Sequence, residues 1–129
     1  MARAGRGFPS RRNRLLLGAS VLSSVQWTEF LPDRNLLDPA EYGSATYELE
    51  AVGFTSNGSL PVYARLYNVT LAGPVTGSTF LVTAALAKTF TRGTAFSLDS
   101  GANEYAVQYG CGAGATATLH AAKLRAVPA

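Results

Sequence analysis

Residues 62–68 read Val62-Tyr63-Ala64-Arg65-Leu66-Tyr67-Asn68, and how this run is read decides the fold. Successive side chains of an extended chain point to opposite faces. Val62, Ala64 and Leu66 therefore share one side, and Tyr63, Arg65 and Tyr67 the other. A slip of one residue would bury the Arg65 guanidinium in place of the aliphatic row, so the register is strongly specified. Upstream, Tyr47, Leu49 and Ala51 alternate with Thr46, Glu48 and Glu50 in the same way. Between the two runs Asn57-Gly58 signals a turn, and Pro61 leads into the second strand.

The same alternation continues downstream. Gly73-Pro74 and Gly77 mark turns, and strands are predicted over Phe80–Leu86 and Lys88–Leu98, with Gly93 as a bulge or bend. Asp99-Ser100-Gly101 turns the chain into Glu104–Tyr109, where Tyr105, Val107 and Tyr109 share a face. A Gly-rich turn over residues 110–114 precedes the last run, Thr116–Val127. On the N-terminal side, Val25–Leu31 supplies a first strand, followed by a polar connection through Pro32, Asp33, Asp38 and Pro39. About seven or eight strands at this spacing predict an all-β protein, a jelly-roll-like antiparallel β-sandwich. The sandwich is expected over residues 25–129, preceded by an extended N-terminal docking arm over residues 1–24.

Composition is consistent with one domain. The 129 residues are 47% hydrophobic and only 15% charged, and a chain of this length buries roughly two-thirds of its unfolded surface. One cysteine and one histidine exclude an internal disulfide and speak against thiolate or multi-histidine metal sites; no cofactor is expected. No apolar run approaches the ~20 residues needed to span a bilayer. The net charge of +3 conceals an asymmetry. Arg3, Arg6, Arg11, Arg12 and Arg14 sit in the first fourteen residues without an acid, while the remainder carries six basic and eight acidic side chains. From Leu15-Leu16-Leu17 a mildly apolar segment, broken by Gly18 and three serines, runs to Val25.

The stretches Tyr47-Glu48-Leu49-Glu50, Ala64-Arg65-Leu66-Tyr67-Asn68, Gly77-Ser78 and Ser100-Gly101-Ala102-Asn103-Glu104-Tyr105 resemble small jelly-roll virion proteins of tailed bacteriophages. The likeness covers about residues 42–127. The opening Arg3-Ala4-Gly5-Arg6-Gly7-Phe8-Pro9 looks like the start of small structural proteins from phages of high-GC bacteria. The resemblance implies a non-enzymatic head decoration or minor capsid protein. It would sit on the exterior of the phage head, bound to the major capsid protein or another virion protein, as a homo-oligomer such as a trimer. In that setting Arg3, Arg6, Phe8, Pro9, Arg11, Arg12 and Arg14 are expected to dock the arm on a neighbour, while Tyr63, Arg65 and Tyr67 offer a second binding surface. Nucleic acid is a weaker partner for the arm, because Phe8 is the only ring before Trp27 and base stacking has little to use. An export signal is weaker too, since the apolar part behind Arg11-Arg12 is short and serine-rich.

Two other function classes compete. Glu48 and Glu50 form a carboxylate pair, but glycosidic chemistry needs carboxyls facing each other across a sugar, and two neighbours on one strand face point the same way. A structural role opposite Arg65 is expected instead. His120 follows Leu119 and should face outward. No G-x-S-x-G elbow accompanies it. Tyr63, Tyr67, Tyr105 and Tyr109 could form a sugar-binding face, making a carbohydrate- or host-surface-binding module of a head or tail fibre the alternative; packing on a pleated surface explains the same residues. Cys111 between Gly110 and Gly112 is either a small buried residue or an exposed thiol. Asn57-Gly58-Ser59 and Asn68-Val69-Thr70 match the glycosylation sequon, a common chance match.

Overall fold

A computed structural model describes residues 24–129, with the side chains of residues 31–33 outside the description. It contains β1 (Thr28–Leu37), a 3-10 turn (Pro39–Tyr42), β2 (Ala45–Thr55), β3 (Val62–Asn68), the two-residue β4 (Gly73–Pro74), β5 (Phe80–Thr83), β6 (Thr89–Arg92), β7 (Asn103–Gly110) and β8 (Ala117–Pro128). These strands form two antiparallel sheets packed face to face, an all-β sandwich as the alternation predicts. The larger sheet runs β1-β7-β3-β4, with β5 also paired to β3; the smaller runs β6-β2-β8.

β3 keeps the predicted register. Val62, Ala64 and Leu66 are buried to 2% exposure or less, while Tyr63, Arg65 and Tyr67 alternate with them on the other face. Their cross-strand partners extend the inner row, since Ala64 lies opposite Tyr109, Leu66 opposite Val107 and Asn68 opposite Tyr105. Tyr47, Leu49 and Ala51 of β2 meet this row from the smaller sheet, and Val75, Val82, Phe96, Leu98 and Leu119 complete the core. Fully burying one such side chain contributes about 1.5–3 kcal/mol. The alternation thus dictates which face turns inward, and burial holds it there.

Several boundaries differ from the sequence expectation. The first strand is not Val25–Leu31 but runs through the supposed connection to Leu37, with Val25 making an isolated bridge to Gly112. Its register against β7 jumps between Glu29, opposite Gln108, and Arg34, opposite Ala106. Pro32 lies in that bulge on an edge strand, where its missing N–H breaks no ladder bond. Only Asp38-Pro39 acts as punctuation: Asp38 Oδ1 accepts from Ala40 N at 3.0 Å and caps the 3-10 turn, with Pro39 at its first position. The run from Phe80 stops at Thr83 rather than Leu86. Lys88–Leu98 shrinks to Thr89–Arg92, after which Phe96 bridges Tyr47. Gly93 follows the last residue of β6, and an added Cβ there would lie 2.9 Å from the Phe80 ring. Gly110, expected in the turn, closes β7.

Ser78 explains why Gly77-Ser78 follows β3. Its buried Oγ accepts from Leu66 N at 3.0 Å and lies 2.7 Å from Val75 O, tying the turn to the strand. Asn68 is buried as well, donating to Asp99 Oδ2 at 2.8 Å and accepting from Leu71 N at 2.9 Å. Its sequon is therefore closed inside the fold.

Candidate functional site

The outer face of the larger sheet carries the chemistry that the sequence singled out. Arg65 projects from the middle of β3, and Gln108 of β7 lies opposite it, accepting from Arg65 Nε at 2.8 Å. The guanidinium lies 4.1 Å from the centroid of the Trp27 ring and 5.8 Å from that of Tyr67. A cation over an aromatic face gains about 0.5–2 kcal/mol depending on desolvation. Burial among these groups lowers the Arg65 pKa from its ordinary value, yet the group stays charged at any physiological pH.

Trp27 reaches this position through a close approach of main chains. Gln26 N donates to Cys111 O at 2.9 Å, and a Cβ at Gly110 would collide with the Gln26 carbonyl. Only glycine at position 110 lets the chain entering β1 lie flat over the end of β7. Next to the Arg65–Gln108 row, Glu29 accepts two hydrogen bonds from Arg34, at 2.8 and 2.9 Å. Those bonds hold the Glu29 carboxyl below its ordinary pKa, slightly offset by desolvation. Tyr63 adjoins Leu81 of β5, which is 45% exposed, and Leu36 at the other margin is 72% exposed. The platform is thus aromatic and cationic at its centre, paired in charge beside it, and apolar at both edges.

Tyr63, Arg65 and Tyr67 are brought together on this face. Tyr105 and Tyr109 are not: Tyr105 is core at 2% exposure, and Tyr109 packs edge-on to Phe30 with centroids 6.1 Å apart. The four-tyrosine face is therefore divided between the two sides of one sheet. Glu48 and Glu50 do not oppose Arg65, which belongs to the other sheet. They meet Arg92 and Arg125: Arg92 Nε lies 2.8 Å from Glu50 and 3.7 Å from Glu48, and Arg125 Nη1 lies 3.3 Å from Glu48. His120 faces outward as expected, 5.7 Å from the Phe54 ring. Cys111 is buried, its Sγ 3.3 Å from Ala115 O, and burial pushes its thiol pKa up. Arg3, Arg6, Phe8, Pro9, Arg11, Arg12 and Arg14 lie outside the described residues.

Sequence reasoning missed Trp27 and Gln108. Trp27, just before β1, and Glu29 within it have the same parity, which signals a shared face, but only the Gly110–Gln26 approach lays that face beside Arg65. Among the described residues no group of three or more metal-ligating side chains is assembled, and no helix is long and apolar enough to cross a membrane. No family model, curated protein or solved structure matches the chain.

Proposed function

We propose that this chain is a structural docking module of a phage particle, in keeping with its sequence resemblance, and that it decorates the head by binding a capsid protein. The observation that carries the docking part is the Trp27–Arg65–Tyr67 cluster on an open sheet face. Tryptophan, tyrosine and arginine are enriched where proteins meet, and such residues dominate binding energy. The arginine-rich residues 1–14 supply a second, electrostatic attachment. The sugar-binding alternative is less well supported, because Arg65 covers one face of the Trp27 ring that a sugar would stack on.

The test is occupancy on virus particles purified from the source that encodes the chain. Trp27→Ala and Arg65→Glu are expected to lower bound protein in a sedimentation assay by more than tenfold, as for central interface residues. Wild-type occupancy by both variants, or absence of the protein from particles, overturns the proposal. Binding to host glycans that survives both substitutions would count against the docking face itself.

A further inference from the structure

The connection from β2 to β3 carries the chain from the smaller sheet to the larger, and Asn57, Gly58 and Ser59 form its exposed tip. Thr55, 1% exposed, anchors that tip from inside. Its Oγ1 accepts from Asn57 N at 3.2 Å and lies 3.1 Å from Asn57 O and 2.8 Å from Leu60 O. Leu60 N donates to Asn57 O at 2.9 Å, closing a β-turn with Gly58 and Ser59 at its centre. The Asn57 side chain folds back over the turn, and its Oδ1 accepts from Ser59 N at 2.9 Å. An amide carbonyl polarised by a backbone N–H thus sits, in the open, next to the main-chain nitrogen of a residue without a side chain.

We propose that Asn57 is a self-modifying site, at which the folded chain converts its own side-chain amide to an acid through a cyclic succinimide. Hydroxide removes the proton of Gly58 N, and the freed electron pair forms a bond to Asn57 Cγ. Negative charge then develops on Oδ1, where the Ser59 N–H already stands at the distance of an oxyanion donor. Collapse of that intermediate breaks the Cγ–Nδ2 bond, and the nitrogen leaves as ammonia with a proton from water. Water then opens the ring at either carbonyl, leaving aspartate or isoaspartate. The balance is amide plus water to acid plus ammonia, so water is the co-reactant. Other asparagines are held differently. Asn68 is buried, donates to Asp99 and precedes β-branched Val69; Asn103 is buried and donates to Ser100 O and Gly101 O. Asn35 lies within β1, paired with Tyr105, and precedes the bulky Leu36. Isoaspartate would route the main chain through the former side-chain carbons and lengthen it by one methylene. The bonds that Thr55 and Leu60 make to Asn57 then lose their register, and the crossing between the sheets loosens. This chemistry is independent of the docking face.

The test incubates the full chain in mildly alkaline buffer, folded and in guanidinium chloride, and follows each asparagine by peptide mass spectrometry. Asn57 is expected to convert at least as fast in the folded chain as in the unfolded one, because the fold supplies the oxyanion donor. Asn35, Asn68 and Asn103 are expected to convert at least tenfold more slowly than Asn57 in the folded chain. Gly58→Ala is expected to slow conversion at position 57 at least tenfold in both states. The isoaspartyl fraction, separated by ion exchange, should unfold at lower urea than Asn57→Asp, which carries the same charge on an unaltered main chain. Slower conversion of Asn57 in the folded chain than in guanidinium overturns the proposal, as does conversion of the four asparagines at equal rates. Equal urea midpoints for the isoaspartyl fraction and Asn57→Asp would overturn the loosening of the crossing.

Discussion

At the scale of single residues, Leu66 and Arg65 are neighbours with opposite fates. Leu66 is 2% exposed and packed from both sheets, so Leu66→Ala is expected to cost roughly 2–5 kcal/mol through lost transfer energy and the cavity left behind. Arg65 is half-buried, and its stacking on Trp27 and bond to Gln108 make Arg65→Ala more costly than removal of a solvated surface cation. About 1 kcal/mol is expected. Urea denaturation of the two variants measures the order, and a larger loss for Arg65→Ala would refute the face assignment of β3. Cys111 is a third case. Its thiol is buried and its pKa raised, so the thiolate that reacts with alkylating reagents is scarce in the folded state. Modification of Cys111 should therefore keep pace with unfolding in added urea rather than proceed in the native protein.

At the scale of elements, two close associations decide how strands sit. The first is the approach of Gln26 to Gly110. Gly110→Ala is expected to push the entry of β1 away from β7, uncouple Trp27 from Arg65 and cost about 1–3 kcal/mol as an overpacking change. A red shift of Trp27 fluorescence in the folded variant checks it; an unchanged spectrum would mean that the approach does not position the ring. The second is the outer face of the smaller sheet, where Arg92 of β6 holds Glu50 of β2, a carboxylate whose side chain is only 11% exposed. Arg92→Ala leaves that carboxylate without its charged donor and is expected to cost about 1–2 kcal/mol, the scale of a charge-assisted hydrogen bond. Arg34→Ala, which frees an exposed pair, should cost less. Thermal melts of both variants provide the comparison.

At the scale of the whole molecule, the buried acids set the response to alkali. Desolvation raises the pKa of Tyr47 and Tyr105 above the ordinary 10.0 and that of Cys111 above 9.0. The folded state then retains protons that the unfolded chain releases, so stability is complete below those ordinary values and falls as pH rises through them. The urea midpoint should stay level from neutral pH to about 9 and decline beyond it, and Cys111→Ala should remove the earliest part of the decline. On the acid side Glu29, held below 4.5 by Arg34, contributes stability present above that value and lost as pH falls below it; the pair is exposed, so the effect is small. Charge distribution is equally a property of the whole. Five arginines in fourteen residues adjoin a body of six basic and eight acidic groups, and the attachment proposed for that end should weaken with salt, which screens exposed charges beyond about 8–10 Å.

The sequence by itself determined the all-β class, the inward rows of β2 and β3, the outward face of Arg65 and His120, and the separation of a basic N-terminus from a near-neutral body. Each follows from period 2 or from composition, both of which are local. The tertiary structure alone decided the rest, because strand pairing joins residues far apart in the chain. It carried β1 through Pro32 by means of a bulge, gave Glu48 and Glu50 to Arg92 and Arg125 rather than Arg65, and turned Tyr105 into the core while leaving Tyr67 outside. It also set Trp27 against Arg65. Parity with β1, which starts at the next residue, puts Trp27 on a face, but only the glycine at position 110, forty-two residues or more from both β1 and β3 in sequence, lets that face come within reach of the guanidinium.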